Sequence, residues 1–132
     1  MGKYCWENPI FISGGSREMK IIKDKDLDWE KVNHPGSKVL KKVIIKNGDL
    51  LNITVFGKTI FKPQDVIEEH SHPTMYEVFH LTKGKAVFTV KGADQVVEKD
   101  DTVIFKPNEP HKQTNPFKEA CEWFYLGLAT DR

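Results

Sequence analysis

Val39-Leu-Lys-Lys-Val-Ile-Ile45, then Lys46-Asn47-Gly48-Asp49, then Leu50-Leu-Asn-Ile-Thr-Val-Phe56 read as strand, turn and strand. The flanking runs are rich in β-branched and aromatic side chains, which pack well on a pleated surface. Asn-Gly between apolar runs is a strong hairpin signal, because both residues tolerate the positive φ of a type I′ turn. The same texture continues downstream. Short strands are expected at residues 59–61, 76–82, 86–90, 95–97, 102–105 and 123–128. Turn formers separate them at Lys62-Pro63, Lys83-Gly84-Lys85, Lys91-Gly92, Lys99-Asp100-Asp101 and Asn115-Pro116. Many short strands at this spacing predict an all-β sandwich or barrel rather than an α/β fold.

Upstream the pattern breaks. Residues 1–36 read as an irregular N-terminal arm of the same domain, ahead of a β-barrel over residues 37–132. Turn formers recur in it at Asn8-Pro9, Ser13-Gly14-Gly15 and His34-Pro35-Gly36. Asp26-Leu-Asp-Trp-Glu-Lys-Val32 predicts a short helix with an aspartate near its start. Trp6 and Trp29 are expected to anchor the arm by packing. His34, beside Pro35-Gly36, reads as a solvated turn residue and not a ligand.

The 132 residues suit one domain with a substantial core. Lys+Arg 20 against Asp+Glu 19 leaves the chain near neutrality, which argues against nucleic acid or an anionic membrane surface as main partner. Lys38, Lys41, Lys42 and Lys46 are read as a solvated strand face. No apolar run approaches the ~20 residues of a membrane span. The N-terminus lacks the apolar core of a signal peptide, and Trp6 stands where a myristoylation signal wants Ser or Thr. A cytoplasmic protein is expected. Cys5 and Cys121 form no disulfide framework, and Cys121, beside an apolar stretch, reads as buried filler.

The chemistry concentrates in His70-Ser-His72-Pro-Thr-Met-Tyr-Glu77 and in His111 of Lys106-Pro-Asn-Glu-Pro-His111-Lys-Gln-Thr-Asn115. Three neutral imidazoles and one carboxylate suit Mn, Fe, Ni, Zn or Cu, one divalent ion per chain. In an extended segment His70 and His72 point to one face and reach the same ion. If Glu77 faces inward, so do Phe79 and Leu81, while Tyr76, Val78 and His80 face outward; His80 is then a surface or interface residue. By the same alternation His111, Gln113 and Asn115 share a face, which puts Gln113 beside the metal as a support for its ligands or as a substrate contact. Glu68, Glu69 and Glu109 are the nearby acids. Glu69 and Glu109 are within reach of a cavity mouth, although loop carboxylates are commonly solvated, and no catalytic residue is assigned. Phe56, Phe61, Phe79, Phe88, Phe105, Trp123 and Phe124 are read mostly as core, with one or two lining a cavity.

These residues resemble the two motifs of the cupin superfamily. The first has the form G-x5-H-x-H-x3,4-E-x6-G, and His70, His72, Glu77 and Gly84 fall at its spacings, with Gln64 in place of the leading glycine. The second has the form G-x5-P-x-G-x2-H-x3-N. His111 and Asn115 match it, while Asp100, Lys106 and Asn108 replace its first glycine, proline and second glycine. The departures concern turns, and Asn and Asp tolerate unusual backbone angles. The resemblance implies a double-stranded β-helix, the jelly-roll barrel, with His70, His72, Glu77 and His111 at the four ligand positions. Such a site leaves coordination positions open, the mark of a catalytic metal.

Three functions follow as expectations. The first is a metal-dependent enzyme acting on a small polar organic molecule by dioxygenase, decarboxylase, isomerase or lyase chemistry. The second is a metallo-cupin that binds or senses a small ligand without changing it. The third is a metal-independent sugar epimerase-like cupin using a His/Tyr pair, against which the complete ligand quartet argues. Cupins of this size commonly pair, so a homodimer is expected, formed by an apolar outer strand or by Pro9-Ile10-Phe11-Ile12 of the arm.

Overall fold

The structure, a computed structural model, describes residues 12–14 and 17–132. Its strands are β1 (Ile12–Gly14), β2 (Arg17–Met19), β3 (Glu30–Lys31), β4 (Leu40–Ile45), β5 (Ile53–Phe61), β6 (Val66–His70), β7 (Met75–Lys83), β8 (Lys85–Val90), β9 (Ala93–Glu98), β10 (Thr102–Phe105), β11 (His111–Thr114) and β12 (Cys121–Ala129). β1 and β2 form a small hairpin. The rest make a six-stranded sheet in the order β10-β7-β12-β5-β4-β3 and a four-stranded sheet in the order β6-β11-β8-β9. The strand pairings among the described residues are antiparallel. The fold is all-β, the jelly-roll barrel expected.

Alternation of side chains explains which face is buried. Along β12 Cys121, Trp123, Tyr125 and Ala129 turn inward, and along β7 Glu77, Phe79 and Leu81 do. A slip of one residue would put every one of them in water. The aromatic core joins the two sheets: Phe88 of the smaller one lies 5.4 Å from Phe79, 6.1 Å from Phe105 and 5.6 Å from Trp123 between ring centroids. Such pairs contribute about 0.5–1.5 kcal/mol each beyond the area they bury. Phe56 and Phe124 differ from the expectation. They stack on each other at 5.6 Å on the outer face of the larger sheet, because their strands run Phe56 and Phe124 opposite to the inward set.

Four turns share one construction. In Lys46–Asp49, Lys62–Asp65, Glu98–Asp101 and Lys106–Glu109 the fourth residue's N–H donates to the first residue's carbonyl at 3.1, 3.0, 2.9 and 3.2 Å. In each, the fourth residue's carboxylate accepts from the first residue's N–H at 3.2, 2.8, 2.9 and 3.1 Å. The third residue is left-handed in all four: Gly48 at φ 95, Gln64 at 71, Asp100 at 75 and Asn108 at 63. Those last three are the positions where the motifs have glycine or where glycine is replaced, and the backbone keeps the glycine-like conformation. β4 and β5 form the expected hairpin, but through Lys46–Asp49 followed by a second turn over Leu50–Ile53, not through one type I′ turn. That turn needs positive φ at Asn47 as well, and among the two only Gly48 has it.

Other expectations need correction. Residues 26–32 form no α-helix. A 3-10 turn spans Asp24–Asp26 and buries nothing, while Glu30 and Lys31 pair with Lys41 and Leu40, so the sheet edge satisfies the backbone instead. The runs expected at 50–56 and 59–61 merge into one strand, β5, which starts only at Ile53, after a turn over Leu50–Ile53, and continues through Gly57. Strands β6 and β11 fall outside the expected set, since half-buried runs rich in charged and polar residues carry little periodic signal. Trp29 is exposed, with the Lys42 and Lys58 ammonium groups 4.9 and 5.9 Å from its ring. Cys5, Trp6 and residues 9–11 lie outside the described residues.

Candidate metal centre

Three strands and a loop deliver the four candidate ligands. β6 ends on His70, the following loop carries His72, β7 carries Glu77, and β11 begins on His111. His111 is the cross-strand partner of His70, which sets their rings 4.4 Å apart. The turn at Lys106–Glu109 braces the loop, since Asn108 N–H donates to the His72 carbonyl at 2.7 Å. Phe105 stacks flat on His111, 4.0 Å away at 5°, and fixes its plane. One donor atom from each of His70, His72, Glu77 and His111 falls within 4.8 Å of all the others. That spacing is compact enough for the four side chains to hold one cation between them.

Hydrogen bonding decides which atoms face inward. His70 Nδ1 lies 2.8 Å from the Glu68 carbonyl and His111 Nδ1 2.9 Å from the Glu109 carbonyl. A carbonyl only accepts, so each Nδ1 carries the proton and each Nε2 of a neutral ring presents a lone pair. This arrangement orients ligating imidazoles. His111 Nε2 then meets Glu77 Oε1 at 3.0 Å, and His72 Nε2 lies 3.5 Å from Glu77 Oε2. In a neutral, Nδ1-protonated ring the His111 lone pair opposes a buried carboxylate, an opposition that a proton on Nε2 or a shared cation relieves. His72 Nε2 is buried without a hydrogen-bond partner among the described residues. The donor set and this orphaned nitrogen fit a divalent transition metal.

The cluster opens into a cavity of ≈ 230 Å³. That volume is at the small end of ligand-binding pockets, which suits a compact molecule. Its walls are mainly apolar, from Val55, Ile67, Met75, Phe79 and Trp123, with Gln113, Tyr125, Thr59 and Lys41 as polar points. Gln113 is 1% exposed and faces the cavity, as the alternation predicts. Its Oε1 and the Tyr125 hydroxyl have no partner among the described residues, a cost of about 1–3 kcal/mol each if left dry. Burial pushes the Tyr125 phenol above its usual range, so it stays a neutral donor. Asn115 shares the inward face but is spent on structure: its amide donates to the Phe61 and Glu119 carbonyls and accepts from Phe117 N–H.

Several readings change at the mouth. His34 is not a solvated turn residue. It is half-buried, lines the cavity, and its ring sits 4.5 Å from that of His70. Desolvation lowers the pKa of both rings. Of the lysine run, Lys38 and Lys46 are exposed as expected, but the middle pair is not. Lys42 is buried on the outer side, 3.1 Å from Asp24, while Lys41 faces the cavity. Strict alternation in β4 would have shown that one of two adjacent lysines must point inward, and alternation from Trp123 would have found Tyr125. His80 faces outward as expected, its Nδ1 2.9 Å from Thr102 Oγ1. The sequence-nominated acids are not in the cavity. Glu68 and Glu69 are exposed, and Glu109 caps its own turn.

A family model described as a cupin domain matches residues 57–127, which span all four ligands. The chain is a member of the cupin family. A comparison with curated protein sequences finds no match. Among solved structures, this cupin is similar to a predicted oxalate decarboxylase from Thermotoga maritima, with TM-score 0.75 and 18% identity, covering 83% of this chain and 98% of that one. It is similar also to the polyketide cyclase RemF from Streptomyces resistomycificus, with TM-score 0.73, 18% identity and coverage of 83% and 79%. A Cupin 2 conserved barrel domain protein from Salinispora arenicola gives TM-score 0.68, 19% identity and coverage of 83% and 88%. At such identities the likeness is one of fold. Among the described residues no helix is long and apolar enough to cross a membrane.

Proposed function

We propose that this cupin is a metal-dependent enzyme that transforms a small polar organic molecule at a site held by His70, His72, Glu77 and His111. The observation that carries the reading is the 3.0 Å contact between Glu77 and the lone-pair side of His111, at the floor of a cavity. When bound, the ion supplies Lewis-acid polarisation of a substrate oxygen. The chain's own residues do the rest. Glu77 contributes the negative charge that retains a cation, the Glu68 and Glu109 carbonyls hold the imidazoles in their ligating tautomer, and the Phe79 and Trp123 walls exclude water. Gln113 and Tyr125 offer an acceptor and a donor to orient the substrate. Decarboxylase, dioxygenase, isomerase and lyase chemistries all suit an oxygen-liganded compact substrate.

We further propose a cytoplasmic homodimer. An apolar row, Ile104–Val78–Leu126–Phe56–Ile45, crosses the outer face of the larger sheet from partner to partner, with Ile104 62% exposed. A second copy on this face would cover it.

Metal analysis of the purified protein tests the site. His72→Ala and His111→Ala should each abolish stoichiometric metal while circular dichroism keeps its β signature, and His80→Ala should retain the metal. Retention in His72→Ala together with loss in His80→Ala would contradict the site. Metal bound at full occupancy without turnover across a panel of small acids and sugars would favour the ligand-binding reading.

A further inference from the structure

Lys41 stands apart from the ligand set. Its side chain is 18% exposed, it faces the cavity, and its ammonium has Glu30 only at a loose 3.7 Å, on a side chain 58% exposed. Lysine seldom spends most of its length inside a domain without a fixed partner. The same cavity holds two polar atoms without partners among the described residues, Gln113 Oε1 and the Tyr125 hydroxyl. Gly57 makes room for that hydroxyl: a Cβ there would lie 2.7 Å from it.

Position sets the shape of what could satisfy these groups. The register runs Leu81–Trp123–Thr59–Lys41 across β7, β12, β5 and β4. Three strand spacings of ~4.8 Å therefore separate the backbone of Lys41 from that of the Glu77 strand. A ligand that touches both ends needs two polar groups, and the apolar walls of Val55, Ile67, Phe79 and Trp123 favour a short hydrocarbon link between them. Charge sets its sign. A divalent cation more than neutralises Glu77, and Lys41 adds positive charge to a water-poor cavity, which favours an anion.

We propose that the cavity takes a short-chain dicarboxylate or oxo-carboxylate, with one oxygen group at the ligand cluster and a distal carboxylate on Lys41, oriented by Gln113 and Tyr125. The assignment rests on the metal-centre reading above. Lys41 is a specificity-determining residue that displaces its Glu30 partner for the ligand's carboxylate.

The test uses the full chain loaded with Co(II), whose absorption spectrum reports the ligand set, and calorimetric titration with malonate, succinate and glutarate and their monoamides. At least one diacid should bind with Kd below about 1 mM. Its monoamide should bind at least ~10-fold more weakly, a difference of about 1.4 kcal/mol. Lys41→Met should weaken the diacid by that factor, leave the monoamide unchanged and leave the cobalt spectrum unchanged, with Lys41→Gln as the second variant if the first folds poorly. Tyr125→Phe and Gln113→Leu should each weaken the diacid severalfold. If cobalt binds one per chain yet Lys41→Met and Lys41→Gln bind the diacid like the wild type, or none of the three acids binds, the assignment is wrong and the metal centre stands. If cobalt is not taken up, the metal centre fails and the assignment falls with it.

Discussion

Gln64→Gly should make the protein more stable, although it removes a side chain. Gln64 is the third residue of the Lys62–Asp65 turn and sits at φ 71. For an L-residue the left-handed conformation costs roughly 1–2 kcal/mol. Glycine relieves that strain but loosens the unfolded chain, at about 0.5–1 kcal/mol. The side chain is exposed, and the bonds that fix the turn are untouched: Gln64 N–H to the Asn115 carbonyl at 2.7 Å and Lys62 N–H to Asp65 at 2.8 Å. The balance is a gain of about 0.5–1 kcal/mol, or roughly 2–5 °C in Tm for a chain of this length. Asp100→Gly and Asn108→Gly should lie nearer zero, because Asp and Asn enter the left-handed region at lower cost. Gly84→Ala provides the opposite sign. Gly84 has φ 70, and a Cβ there would meet the Ala120 carbonyl oxygen at 2.5 Å, so the loss should exceed about 2 kcal/mol. Urea melts at constant m-value, with thermal melts beside them, read all four. A lower urea midpoint for Gln64→Gly, or a Gly84→Ala protein as stable as wild type, would refute the strain argument.

Other consequences are equally direct. Burial pushes the Cys121 thiol up to about 12, so in a Cys5→Ser background the native protein should resist iodoacetamide at pH 8 and label rapidly once unfolded; prompt native labelling would contradict the buried placement. Desolvation holds His70 and His34 below the ordinary imidazole value of 6.5, so the fold favours neutral rings. Their contribution is complete above about pH 6.5 and is lost as pH falls through the depressed native values. The urea midpoint of metal-free protein should therefore drop between pH 7 and pH 5, with a shallower drop in His70→Asn; equal slopes for the two proteins would count against it. Ile104→Lys, at the exposed end of the outer apolar row, should convert a species of twice the 15.2 kDa chain mass to monomer in light scattering at tens of micromolar. A wild type that is already monomeric would remove the dimer.

Three members of the quartet were legible because their signal is local, while His111, 34 residues beyond Glu77, was reached through the spacing of the second cupin motif. His70, His72 and Glu77 lie within one short run, and the alternation rule needs no tertiary knowledge to put Glu77 inward and His80 outward. Gln113 followed from the same rule applied to His111. What escaped was set by contacts distant in sequence. His34 reaches the cavity only because the arm folds back against β6, which no spacing in residues 1–36 announces. Lys41 and Tyr125 were within reach of alternation, but a lysine-rich run reads as solvated until a neighbouring strand shows which face is covered. The mistaken helix at 26–32 has a similar origin. Glu30 and Lys31 prefer a helix locally, and the free edge of β4 outbids that preference by pairing their backbone. Glycine's absence from the motif turns left the backbone conformation intact, which only the dihedral angles reveal.

The ligand set straddles a seam. His70 and His111 belong to the four-stranded sheet, Glu77 to the six-stranded one, and His72 to the loop between them. A cation shared by both would act as a rivet, tying one sheet to the other at that edge. Occupancy should then slow amide exchange in β6, β7 and β11 together, and chelation should release both sheets at once.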